Sequence, residues 1–85
     1  MVDNVMSNNL DEVHTAIIAE YRERRKHHDT PADALNCLVG SMVETIVLTY
    51  AEGRPVPHTF IVAMGDVALW WSLAKEGKPL PGELL

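Results

Sequence analysis

Four histidines, twelve carboxylates and one cysteine are the residues from which this chain of 85 could build chemistry. Metal binding is the first test. His14 and His28 fall on one helical face, yet their separation amounts to about 21 Å along a helix, too far to share an ion. Glu23 and His27 stand four residues apart and could chelate, but two ligands without a third do not make a site. Neither a HExxH motif nor a paired-cysteine pattern occurs. No metal and no cofactor are expected.

Nucleophilic catalysis fares no better. Ser41 sits in Val39-Gly40-Ser41-Met42-Val43, where the second glycine of a nucleophile elbow is missing. Gly40-Ser41 reads instead as a close helix contact. Glu44 and Asp66 are acids within apolar stretches. Burial would raise the pKa of either, but a solvated or salt-bridged role is expected. Asp66 is also placed four residues before Trp70 to receive an indole N–H or a partner's base. Cys37, among Leu35, Leu38 and Val39, reads as a small buried apolar residue. With one cysteine no intrachain disulfide forms, and a reducing, cytoplasmic setting fits. The chain is therefore read as a non-enzyme. A small helical enzyme with a site at a dimer interface, around Glu44, Asp66 and the histidines, is the weakest alternative.

One local charge anomaly remains. Arg22, Arg24, Arg25 and Lys26 hold four of the seven bases, with His27 and His28 alongside. Glu20 and Glu23 interrupt the cluster, and Glu20 can pair with Arg24 at i,i+4. The favoured reading is a solvated helix end. The alternative is a nucleic-acid contact through these four bases, whose affinity would fall steeply with salt. The net charge of −5 argues against general affinity for nucleic acid or anionic membrane.

The elements that must carry these residues are helical. Asn9 suits an N-cap, with Glu12 three positions on to close a capping box. Leu10, Val13, His14, Ile17 and Tyr21 then recur at three- and four-residue steps, with His28 in line. Asp11, Glu12, Glu20, Arg22, Glu23 and Lys26 take the other face. Thr30-Pro31-Ala32-Asp33 opens a second helix: a capping threonine, proline at the first turn, and an acid able to reach back. Gly53 ends it. Arg54-Pro55-Val56-Pro57 is a stiff connector. A third helix runs to the Gly77 and Pro79 stops. Thr45 to Tyr50 is rich in strand formers, but the capping at both ends favours helix. The expectation is a single all-α domain over 1–85, a small three-helix bundle. Its helices span about 9–28, 31–52 and 57–76, with loose ends at 1–7 and 78–85. The start, Met1 to Leu10, lacks the basic leader and apolar run of a signal peptide. The longest uncharged stretch, Pro55 to Gly65, falls far short of the ~20 residues a bilayer needs, so no membrane span is expected.

The apolar faces carry the functional reading. On the second helix Leu35, Leu38, Val39, Met42, Val43, Ile46 and Tyr50 form one broad face, widened by Val47 and Ala51 to roughly 220°, against the ~100° a surface helix needs. This helix reads as the centre of the core. On the third, Phe60, Ala63, Met64, Val67, Trp71 and Ala74 form one stripe, and Val62, Leu69 and Leu73 another nearly opposite. A helix apolar on two sides needs two packing partners. The expected interface is Val62, Asp66, Leu69, Trp70 and Leu73, with one of the adjacent tryptophans in the core and the other an anchor for a partner. A homodimer is the cheapest way to cover such a face. A small core without disulfide or metal also gains from association. The resulting expectation is a homodimeric, non-enzymatic interaction protein, a small acidic inhibitor or regulator with a protein partner. Small acidic helical proteins of this kind occur among mobile-element products such as anti-defence inhibitors and immunity proteins. That analogy is one of class and rests on no motif.

Overall fold

The computed structural model describes residues 3–85 and is all-helical, without strands among those residues. Three helices run α1 Leu10–Arg25, α2 Pro31–Ala51 and α3 His58–Lys75, each packed against the other two. Short 3-10 helices at Asp3–Met6 and Gly82–Leu84 flank them.

The local signals act largely as their chemistry dictates. Asn9 caps α1, its side-chain oxygen accepting from the backbone N–H of Asp11 and Glu12. The capping box closes differently from expectation. The Glu12 carboxylate takes the Ser7 hydroxyl at 2.7 Å, and the Asn9 N–H donates to Ser7 Oγ at 3.0 Å. Thr30 caps α2, accepting from the Asp33 N–H at 3.2 Å, with Pro31 in the first turn. Gly53 and Gly77 adopt φ of 73° and 72°, the left-handed conformation that ends a helix at least cost in glycine. Behind each, two backbone bonds fold back: Gly53 N to Tyr50 O and Arg54 N to Thr49 O, and Gly77 N to Ala74 O and Lys78 N to Leu73 O. This paired closure satisfies carbonyls that the helix end leaves open.

The core takes Val13, Ile17 and Tyr21 from α1, Leu35, Leu38 and Met42 from α2, and Phe60, Val67 and Trp70 from α3. Each such side chain is worth about 1.5–3 kcal/mol on burial. The ends differ from the expected loose ones. Val5 and Leu84 are both buried in this core, and Arg22 Nη2 donates to the Glu83 carbonyl at 2.7 Å. Thr59 Oγ1 likewise donates to the Ser7 carbonyl. The part of the expected leader at residues 1 and 2 lies outside the described residues.

By length and composition α2, at 21 residues, is apolar enough to cross a membrane, with a mean hydropathy of 1.4 over 18 of them, because its carboxylates are few. Here it packs against both other helices, and only 28% of that 18-residue stretch is buried. Much of its apolar character therefore faces outward.

Candidate functional site

Half of the large exposed apolar residues lie on α2. Val43, Val47 and Tyr50 are 47%, 60% and 66% exposed, and Leu48 is exposed on another side of the helix. The broad apolar face expected to make α2 wholly central is split. Leu35, Leu38 and Met42 go inward, while Val43, Val47 and Tyr50 go out. Exposed Asn36 and Gly40 continue the outward row. Gly40 has nothing within 4 Å of where a Cβ would stand, so it makes no close helix contact within the chain. Cys37 is exposed rather than buried.

The row belongs to a wider face. Helix α1 reaches α2 at Ser41, whose Oγ accepts from Arg24 Nη2 at 3.1 Å. It reaches α3 at Asp66, whose Oδ2 lies 2.7 Å from His14 Nε2. Two residues on along a helix is about 200° round. Val43 and Ala68 therefore point nearly opposite to the contacts with α1. The outer side of the α2–α3 hairpin thus carries Val43, Val47 and Tyr50 from α2, with exposed Ile61, Gly65 and Ala68 from α3. The helical period turns Asp66 away from it, while exposed Asp33 lies at the N-terminal end of the same line as Gly40 and Val47, and exposed Glu44 flanks the row. Lys75, at its edge, lays its ammonium over the Trp71 ring, 3.8 Å from the centroid. The middle of the face is without charge.

The residues expected to form an interface on α3 are dispersed. Trp70 is only 6% exposed and belongs to the core, because its direction on the helix lies between the surfaces packed on α1 and α2. Trp71 is half-buried under Lys75. Asp66 pairs with His14, so neither an indole nor a second chain is needed to explain it. Val62 and Leu73 are half-buried, and Leu69 is exposed at 57%.

Arg24 and Arg25 of the basic cluster are partly buried, while Arg22 and Lys26 are exposed. Arg24 Nη1 pairs with Glu20, both half-buried, while Arg24 Nε is buried without a partner among the described residues. Arg22 holds the Glu83 carbonyl, and Arg25 Nη1 holds the His28 carbonyl at 2.7 Å. Lys26 and His27 both lie beside the Glu23 carboxylate, at 3.1 and 3.6 Å. The Lys26 hydrogen bond and charge, with His27 adding less, hold the exposed Glu23 carboxyl below its ordinary range. Glu23 and His27 thus meet at the surface without a third ligand, and the described residues contain no group of three metal-binding side chains.

Open clefts also mark the surface of the described residues. One, of about 260 Å³, is lined by Met6, Thr49, Arg54, Pro55 and Pro57. The other, of about 330 Å³, lies among Pro31, Ala74, Gly77, Lys78, Leu80 and Leu85. Neither gathers convergent polar groups: Arg54 turns to Glu52, and Lys78 to Glu76. Compared with known proteins, the chain matches no family model, no curated protein and no solved structure.

Proposed function

We propose that the chain is a non-enzymatic protein-interaction module that works as a homodimer, a small acidic regulator or inhibitor of another protein. The observation that carries this reading is the uncharged outer face of the α2–α3 hairpin. The accessible surface, 5175 Å², is ordinary for a 9.5 kDa chain, for which size scaling gives about 5,000 Å². The amount of surface is therefore ordinary, and what sets the chain apart is where the apolar part lies. Two valines and a tyrosine on one side of α2, beside Ile61 and Ala68 of α3, with charges only at the margins, have the composition of an interface core. A second copy offers the same patch in return.

A dimer built on this face leaves Leu69 outside, flanked by half-buried Val62 and Leu73. That strip is the place for a different protein. The nucleic-acid alternative has no specific observation in its favour, since Arg22, Arg24 and Arg25 spend their guanidinium groups inside the chain. Light scattering on the purified chain tests self-association, with twice the chain mass expected. Affinity capture from the native host at low and high salt tests the partner. One protein retained at high salt supports the reading, whereas salt-labile nucleic acid as the only captured species contradicts it.

A further inference from the structure

We infer that residues 78–85 form a releasable strap, whose Leu84 plugs an apolar socket on α1, and that the vacated socket takes a short leucine-bearing segment of another chain. The strap fills this site from within until a partner displaces it. The device lies apart from the pairing of two copies and holds for one copy as for two. Its attachment is thin. Of the strap's residues only Leu84 is buried, Leu80 and Pro81 are half-buried, and the other five are exposed. Pro79 and Pro81 have no N–H to give. At the hinge Lys78 N donates to the Leu73 carbonyl. Past it the backbone bonds stay inside the strap, from Leu84 N to Pro81 O and from Leu85 N to Gly82 O. Among the described residues, the one hydrogen bond from there to the helices is the exposed one that Arg22 donates to the Glu83 carbonyl. The 3-10 helix Gly82–Leu84 lies against α1 and neither other helix, whereas the one at Asp3–Met6 lies against both α1 and α3.

Nor is the strap closely seated. The cleft of about 330 Å³ opens under it, between Leu80 and Leu85 on the strap and Pro31 and Ala74 on the helices. Segments with few buried contacts open at a lower free energy than the domain that carries them. The three helices pack on one another, so lifting the strap leaves the bundle standing. It uncovers the Leu84 socket, joined to the cleft through neighbouring Leu85. That trough is apolar, since Lys78, the one ionisable residue lining the cleft, turns to Glu76. The occupant it fits is of the kind that fills it now: a short chain with leucines four residues apart, as Leu80 and Leu84 are. Arg22 is the clasp, and it holds a backbone carbonyl, a group that any such segment presents. A partner that binds only the open form draws the chain toward it.

Thiol labelling reads the release. In a Cys37→Ser background, Leu84→Cys places a thiol in the socket and Val67→Cys places one in the core, both native residues being buried. Circular dichroism checks each fold. Leu84→Cys is expected to react with a thiol reagent at least about tenfold faster than Val67→Cys, and with little dependence on dilute urea. Adding Arg22→Ala should speed the first reaction and leave the second unchanged. An excess of the free octapeptide Lys78–Leu85 should also speed the first, whereas the same peptide carrying Leu84→Ala should not. Equal rates with equal urea dependence at the two positions overturn the strap, because Leu84 then leaves its socket only when the whole domain unfolds. An octapeptide without effect overturns the site beneath it. Should Leu84→Cys fail to fold, NMR of the wild type with the octapeptide decides: Leu84 methyl signals that move to exposed values support displacement, and unmoved ones contradict it. Pairing of two copies is read separately, from the solution mass.

Discussion

The imidazole Nε2 of His14 lies 2.7 Å from Oδ2 of Asp66, across a half-buried contact that joins the first turns of α1 to the middle of α3. The two residues are neighbours only because the helices pack with one particular rotation. The contact also gives Asp66 a partner within its own chain.

A double-mutant cycle measures this pair. His14→Ala and Asp66→Ala should each lower stability slightly, with a coupling of about 0.5 kcal/mol, since both side chains remain part-exposed. Denaturant unfolding supplies the values. The solution mass should not change with either substitution, because the pair serves the single chain.

The C-terminal segment is structural. Deleting residues 81–85 removes buried Leu84 and the Glu83 carbonyl that holds Arg22. Losing the leucine alone costs about 1.5–3 kcal/mol. For a domain of this size each kcal/mol lowers the melting temperature by roughly 4–8 °C. A thermal melt that is unmoved by the deletion contradicts the docking of this segment.

The cationic residues of α1 should separate sharply by mutation. Arg24→Ala removes the bonds to Glu20 and Ser41 and leaves a half-buried carboxylate unpaired, at a cost of about 1–3 kcal/mol. Lys26→Ala touches only an exposed pair and should stay within about 0.5 kcal/mol. Equal effects in urea unfolding would show that Arg24 does not link α1 to α2.

Lys26 has a different, titratable signature. Its hydrogen bond is the main reason the Glu23 carboxyl lies below the ordinary range. A lowered folded-state value means that any benefit is present above the unfolded value and lost as pH falls through the folded one. Glu23 is fully exposed, so the readout is its own titration by NMR and not stability. Lys26→Ala should move that midpoint upward, toward the usual carboxylate range.

Much of the fold was legible because its signals are local. Asn9, Thr30-Pro31, Gly53 and Gly77 each act within a few residues, and their geometry follows from backbone chemistry. What sequence left open was rotation and long-range docking. Trp70 and Trp71 differ by about 100° on one helix, and only the packing of α1 and α2 decides that Trp70 goes inward. The α2 apolar arc is continuous in projection, so nothing local marks where the buried part ends and the row of Val43, Val47 and Tyr50 begins. Val5 and Leu84 lie in short segments without periodicity, and their burial depends on grooves made by distant residues. The His14–Asp66 contact had no sequence signal either, since its partners stand on separate helices.

The central claim is that the outer face of the α2–α3 hairpin is covered by a second copy. Its most direct test is the solution mass, by light scattering across a concentration series, of the wild type beside Val43→Glu and Val47→Glu, with Leu69→Glu as a control. Self-association through this face gives twice the chain mass for the wild type and Leu69→Glu. It gives the single-chain mass, with helicity retained, for the two valine variants. A wild type that stays at the single-chain mass, or valine variants that remain dimeric, contradicts it.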